Sequence, residues 1–252
     1  MTPWALPEDR AARLALATGY PYAIPAASYL FEDGAARPLP VDADYSGRTP
    51  VLAIGSNRSP AQLARKFAHM PRPQRIPVTR AWLADFDVVF ATHLARYGAI
   101  PGNLYPALGV MVRVAVTWLD PEQLAAMHAT ELAGEAYVYA RLDGIDLRLD
   151  RPGAGGALRL ESVAAYVSLH GAFAEAGQPL GLAALEAQGR RHAAVSVAGA
   201  LDRLRRRAGD ARDLDAFILA AIEDKALRQR LTALMRADAL PLPADRVTVL
   251  ER

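Results

Sequence analysis

The chain has 252 residues, enough for one large domain or a domain with a substantial extension, and its 52% hydrophobic content can form a sizeable core. It contains no cysteine, which excludes disulfides, thiolate metal sites and cysteine nucleophiles. Its 29 basic and 27 acidic residues are too balanced to indicate a nucleic-acid partner. The first residues lack the pattern of a secretory signal, and no apolar run reaches the length of a membrane helix. We therefore expect a soluble, cytoplasmic protein with no nucleic-acid or membrane partner.

The first 50 residues are rich in proline around one short helical candidate, residues 8–18. This pattern predicts an extension that wraps around a domain. Residues 51–54 (Val-Leu-Ala-Ile) then form a short apolar run that ends in Gly55-Ser56-Asn57. Ser59 as a cap, a proline at the next position and Gln62 as the partner in a capping box predict a helix over about 60–69. The predicted order is strand, tight turn, helix.

The middle of the chain has the clearest strand pattern. A strand is predicted over 78–91, and valines at every second position from Val110 to Val116 predict another. Asp120-Pro121-Glu122-Gln123 repeats the combination of cap, proline and glutamine, and predicts a helix of about three turns. Asp143-Gly144, between apolar runs at 136–142 and 145–149, predicts a two-residue hairpin.

The last third of the chain is predicted to be mainly helical. A Gly-rich turn at 153–156 precedes a predicted strand over 157–169. Residues 182–240 are rich in Ala, Leu and Arg at helical spacing, which predicts three helices before a short strand near 247–250. An arginine-bearing surface for a partner protein within 190–236 is compatible with this pattern.

Glu131 is the acidic residue whose position suggests chemistry. It falls on the same helical face as Leu124 and Met127, and should therefore point toward the interior. Burial penalises the charged form, so we expect its pKa to rise toward neutrality, which suits proton transfer. The structural alternative is that Glu131 caps a turn near Gly134 at a frayed helix end.

Gly55-Ser56-Asn57 is the second candidate. Its amides follow a buried strand and lie at the positive end of a helix, where they could hold a carboxylate or an oxyanion; the alternative is a plain strand-to-helix connection. Other constellations are weaker. Ser56 lacks the Gly-x-Ser-x-Gly context of a hydrolase nucleophile. His128 and Glu131 have a spacing possible for metal ligands but no partner motif, and the Arg203–Arg207 run is typical of a solvated helix end.

Taken in order, these features resemble the gamma-glutamylcyclotransferase-like family over about residues 50–170. The residues that carry the resemblance are the Gly55-Ser56-Asn57 turn, the capped helix, 81–87, 97–101, the valine strand, the helix ending in Glu131, and Tyr137. The resemblance implies an α+β fold with a small mixed β-barrel flanked by helices. We accordingly divide the chain into an extension (1–50), a cyclotransferase-like domain (51–180) and a helical region packed on it (181–252).

The resemblance also implies a function. Glu131 would be the catalytic proton carrier, and Gly55, Ser56 and Asn57 would hold the glutamyl end of a small-molecule substrate. The family turn usually reads Tyr-Gly-Ser-Asn, and Ile54 replaces that tyrosine at the pocket wall. Tyr137 is a further binding candidate, although Tyr139 could serve equally.

The implied reaction cyclises a gamma-glutamyl amine or peptide to 5-oxoproline and releases the amine, as in glutathione metabolism. The substrate's own α-amine is the nucleophile, so no metal or organic cofactor is expected. The alternative function is a non-catalytic binding module for a small amine or carboxylate, which the change at Ile54 favours.

Overall fold

The computed structural model describes residues 5–134, 136–150, 158–243, 245 and 247–252. Its helices are α1 (Arg10–Thr18), α2 (Pro60–Phe67), α3 (Pro121–Glu131), α4 (Val197–Arg207), α5 (Leu214–Glu223) and α6 (Lys225–Ala237), with a 3-10 turn at Ser56–Arg58. The longer strands are β1 (Tyr29–Glu32), β2 (Ala35–Pro38), β3 (Thr49–Ala53), β4 (Arg75–Phe90), β5 (Gly102–Leu119), β6 (Val138–Leu149) and β7 (Leu158–Val167). Shorter strands follow: β8 (Ala174–Glu175), β9 (Gln178–Pro179), β10 (Gly181–Leu182), β11 (Ala187–Gln188), β12 (Ala194–Val195) and β13 (Val247–Glu251).

Five strands close into a small barrel. Going round it, β3 pairs with β5, β5 with β4, β4 with β6 and β6 with β7, all antiparallel. The ring closes because β7 pairs in parallel with β3, with Val51 beside Ala164. Helices flank this barrel, so the predicted α+β class with a small mixed barrel is confirmed.

Alternation along the strands explains the two hydrophobic clusters. Val112, Val114 and Val116 of β5 are fully buried and belong to one large cluster. Residues of the opposite face, such as Ala115, belong to a second cluster that includes Leu63 of α2 and Met127 of α3. Helices α2 and α3 therefore cover one outer face of the barrel, and they hold the side chains discussed below.

The two predicted capping boxes have different outcomes. At α3 the prediction is confirmed: the Asp120 carboxylate accepts from the Gln123 amide, and the Gln123 side chain accepts from the Asp120 amide. At α2 it is wrong, since Ser59 makes no side-chain capping bond. Its hydroxyl is buried without a hydrogen-bond partner among the described residues, and the Gln62 side chain accepts from Arg65 instead.

The predicted hairpin at Asp143-Gly144 is also wrong. Both residues lie inside the continuous strand β6, and the pairing with β7 shifts register between Asp143 and Leu147. The positive φ of Gly144 (65°) therefore serves a bulge and not a chain reversal. Before the bulge β6 pairs with β13, and after it β6 pairs with β4, so the bulge lets one strand change neighbours.

Both ends of the chain are joined to the barrel strands. In the extension, β1 and β2 form a hairpin that sequence analysis missed, and β1 pairs with β4. In the last third, the three predicted helices are present as α4, α5 and α6, and the predicted terminal strand is β13, which pairs with β6. The predicted Gly-rich turn at 153–156 lies outside the described residues. Within the described ranges, no helix is long and apolar enough to cross a membrane.

Candidate functional site

Asn57 and Glu131 meet at one end of the barrel. Asn57 lies in the 3-10 turn that follows β3, and Glu131 is the last residue of α3, which follows β5. Because β3 and β5 are antiparallel, β5 ends beside Thr49 at the start of β3, and the length of α3 brings Glu131 back to the turn at the other end. The Asn57 amide nitrogen donates to Glu131 Oε1 at 3.1 Å. The structure thus brings together the two features that the sequence singled out separately.

Lys66 of α2 is the third member of this group. Its ammonium makes an ion pair with Glu131 Oε1 and donates to Thr130 Oγ1 at 2.9 Å. Both partners are largely buried, with side-chain exposures of 8% for Lys66 and 16% for Glu131. A buried ion pair of this kind leaves a costly unpaired charge if either partner is removed.

The predicted rise in the pKa of Glu131 is wrong. Burial does raise this pKa, but the charge and hydrogen bond of Lys66, the Asn57 amide and His93 together lower it below its ordinary value. Glu131 is therefore ionised at neutral pH. Among the described residues, its side chain contacts Lys66 and Asn57, and not a turn near Gly134 as the structural alternative supposed.

Tyr20 covers the Gly55 turn. Its hydroxyl accepts a hydrogen bond from the Gly102 amide at 2.9 Å, and a Cβ added at Gly55 would overlap that hydroxyl oxygen. Burial raises the pKa of Tyr20 to about 12, so the phenol stays protonated.

Ile54 is buried in the same hydrophobic cluster as Tyr20. Ser56 begins the 3-10 turn, and its carbonyl accepts from the Ser59 amide.

The structure distinguishes the two tyrosine candidates. Tyr137 donates to the Gly102 carbonyl at 3.4 Å, and burial together with the charges of Tyr20 and Glu131 raises its pKa well above the ordinary value. Tyr139 instead packs against His128 and Tyr166 in the second cluster. Tyr137 is therefore the tyrosine on the Glu131 side of the barrel.

His93 completes the surroundings of Glu131. Its ring meets Tyr137 edge to face with centroids 5.3 Å apart, and burial, followed by the charges of Arg236 and His170, lowers its pKa to about 4. The imidazole is therefore neutral at physiological pH. Both His93 Nδ1 and Asn57 Oδ1 are buried without a hydrogen-bond partner among the described residues. These two atoms are available to a ligand's polar groups.

Sequence reasoning missed Tyr20, Lys66 and His93. Lys66 is one of only two lysines in the chain, the other being Lys225, but nothing local indicates its partner 65 residues away. His128, considered earlier for a metal site, makes a 2.9 Å hydrogen bond with the Tyr166 hydroxyl. In the described part of the chain, no group of three or more His, Asp or Glu side chains could hold a metal ion.

The sequence matches no protein-family model and no curated protein. Solved structures with weak similarity include two that each have a TM-score of 0.34. One is a solution structure of an Arabidopsis thaliana protein, with 17% identity over 51% of this chain and 73% of that chain. The other is a gamma-glutamyl cyclotransferase, with 16% identity over 48% of this chain and 66% of that chain. Similarity at this level assigns neither family nor activity, and the fold class stands on the strand pairing described above.

Proposed function

We propose that the protein is a gamma-glutamylcyclotransferase-like enzyme that converts a gamma-glutamyl amine or peptide to 5-oxoproline and free amine. The observation that carries the proposal is the 3.1 Å hydrogen bond from Asn57 to Glu131. It places a buried carboxylate at the Gly-Ser-Asn turn, where the sequence resemblance expects substrate recognition and proton transfer to meet.

The proposed reaction needs no enzyme nucleophile. The α-amine nitrogen attacks the γ-carbonyl carbon of the same glutamyl group, and collapse of the tetrahedral intermediate breaks the bond to the leaving nitrogen. Glu131 accepts the proton that the attacking amine loses and returns it to the leaving amine. Lys66 keeps Glu131 ionised, which is the form that accepts a proton.

The remaining groups position the substrate. Gly55 has no side chain, so a substrate can approach the backbone of the turn closely once the Tyr20 hydroxyl gives way. The unpartnered Asn57 Oδ1 and the neutral His93 Nδ1 can bind polar atoms of the glutamyl group. Tyr137 borders the same space through its contacts with Gly102 and His93.

A second candidate function is a binding module without turnover. Two observations favour it: Tyr20 fills the space above Gly55, and Lys66 holds the carboxylate in a strong ion pair that weakens Glu131 as a base. Such a module would hold a small amine or carboxylate at the same place.

The experiment that separates the two functions is a product assay with a panel of gamma-glutamyl compounds. The panel contains glutathione, gamma-glutamyl amino acids and gamma-glutamyl alkylamines, and 5-oxoproline is detected by mass. Release from at least one compound supports the enzyme. Binding of panel members without 5-oxoproline supports the module and overturns the proposed reaction.

A further inference from the structure

A cavity of about 200 Å³ lies on the outer face of β4 and β5, under the N-terminal extension. Its charged wall consists of Arg58, Arg80, Arg113 and Glu186, and its apolar wall includes Ile24 and Pro25. Arg80 and Arg113 lie on the same face of the sheet, because Arg80 is paired with Ala115, two residues from Arg113. We refer to this space as the three-arginine cavity.

Arg58 is the most unusual of the three arginines. It is only 4% exposed, and its Nη1 donates to the Arg113 carbonyl at 2.9 Å. Its Nε is buried without a hydrogen-bond partner among the described residues. Burial lowers its pKa to about 10, and the groups whose charges act on it are Tyr20, Arg80 and Tyr29, none of them a carboxylate. Among the described residues, Arg58 is therefore a buried cation without the acidic partner that such a group normally has.

Arg80 and Arg113 share the nearby carboxylate of Glu186 only loosely. Arg113 Nε is also buried without a hydrogen-bond partner in the described structure. Glu186 Oε2 lies 3.6 Å from Arg113 Nε and 3.7 Å from Arg80 Nη2, and both distances are too long for a hydrogen bond. The Glu186 side chain is 59% exposed. Arg113 Nη1 donates a hydrogen bond to Asp150 Oδ2 at 2.7 Å, and Asp150 is not part of the cavity wall. Three guanidinium groups thus have two carboxylate partners, Asp150 on Arg113 and the loosely placed Glu186.

We propose that the three-arginine cavity binds a phosphate group, either as inorganic phosphate or on a small phosphomonoester. The three arginines face two carboxylates, Glu186 and Asp150, so one positive charge remains in excess, and phosphate offers more acceptor oxygens to these arginines than a carboxylate does. Its tetrahedral oxygens can accept from several of the guanidinium groups that line the cavity at once.

The apolar wall and small volume limit the group attached to that phosphate. Ile24 and Pro25 can contact a few carbon atoms, whereas a cavity of about 200 Å³ is smaller than a typical site for a drug-sized ligand. This site does not depend on the reaction proposed above. Asn57 and Arg58 are neighbours in the chain, but their side chains serve different places: Asn57 binds Glu131, and Arg58 lines the cavity.

The test measures thermal unfolding and arginine Nε–Hε NMR signals during titration with sodium phosphate at constant ionic strength. Sodium chloride is the control for general screening, and glycerol 3-phosphate against glycerol tests a phosphomonoester. A ligand that binds the folded state raises the unfolding temperature in a saturable way. We expect that rise with at least one of the two phosphate probes, together with shifts of the Arg58 and Arg113 Nε–Hε signals.

Three variants locate the effect. Arg58→Met and Arg80→Gln should each weaken phosphate binding by roughly tenfold or more, because each removes charge-assisted hydrogen bonds. Arg141→Gln is the matched control, since Arg141 is half exposed and pairs with Asp143 elsewhere on the barrel. If Arg58→Met does not fold, the partly exposed Arg80 decides the result. No saturable response to either probe, or an equal response in wild type and Arg80→Gln, overturns the proposal.

Discussion

The Tyr20 hydroxyl and the Gly102 amide form a 2.9 Å hydrogen bond that joins residues 82 positions apart. Gly102 is the first residue of β5, and the same hydroxyl lies against Gly55 just after β3. One side chain of the extension therefore contacts the ends of two barrel strands. This contact makes the extension part of the candidate site, and it can be tested by stability alone.

Tyr20→Phe should destabilise the protein. The change keeps the ring but leaves the buried Gly102 amide without its acceptor, which should lower the free energy of unfolding by about 1–3 kcal/mol. Urea denaturation measures the difference. Tyr105→Phe, at a half-buried tyrosine on the same strand, is the control. Equal losses in the two variants would show that the Tyr20 hydroxyl makes no special contribution.

Gly55→Ala should destabilise the protein because of Tyr20. The new Cβ would overlap the Tyr20 hydroxyl and lie 3.0 Å from Cζ, and displacing this buried ring should cost about 1–3 kcal/mol. Gly134→Ala is the control, because nothing lies within 4 Å of a Cβ there. In a Tyr20→Ala background the cost of Gly55→Ala should largely vanish, as a double-mutant cycle would reveal. An unchanged cost in that background would place the strain in the backbone of the turn.

Local sequence predicted the elements whose pattern is complete within a few residues. The alternating valines of β5 and the capping box at Asp120 depend only on near neighbours, and both are present. The same Asp-Gly dipeptide, however, has two outcomes in this chain. Asp33-Gly34 makes a two-residue hairpin between β1 and β2, whereas Asp143-Gly144 is a bulge within β6. Pairing of β6 with β13 and with β4 on either side of the bulge decides the second case, and those two strands are distant in sequence.

The candidate site was predictable in its parts but not in its electrostatics. Glu131 was correctly expected to face the interior, and burial does raise its pKa. The opposing contribution comes from Lys66, whose approach depends on how α2 packs beside α3 on the barrel. The contact between Tyr20 and Gly55 could not be predicted for the same reason, because only the path of the extension brings Tyr20 to Gly55.

Lys66→Met should raise the pKa of Glu131. Without the ammonium, burial remains as the largest influence and favours the protonated acid. A carbon-detected NMR titration of the Glu131 carboxyl measures this pKa directly. In the proposed enzyme, the acidic limb of the kcat/KM profile should move to higher pH, because Glu131 acts as the base.

Lys66→Met should also change how the free energy of unfolding depends on pH. In the wild type the lowered pKa of Glu131 adds stability that is present above its ordinary value of 4.5 and is lost as pH falls through the folded-state value. Lys66→Met should lose this stabilisation, so its acid destabilisation should be shallower. Lys225→Met, at the exposed second lysine, is the control and should match the wild type. Identical titrations of Glu131 in both variants would contradict the role given to Lys66.

The most direct test of the proposed reaction is single-turnover 5-oxoproline formation by Glu131→Gln with the best substrate of the panel. Glutamine preserves size and can still accept the Asn57 hydrogen bond, but it cannot carry a proton. Glu122→Gln, at an exposed position in the first turn of the same helix, is the control, and unfolding temperatures establish that each variant is folded. We predict a loss of about 10²-fold or more for Glu131→Gln and none for Glu122→Gln. A folded Glu131→Gln variant that forms 5-oxoproline within a few-fold of the wild-type rate would contradict the assignment of Glu131 as the proton carrier.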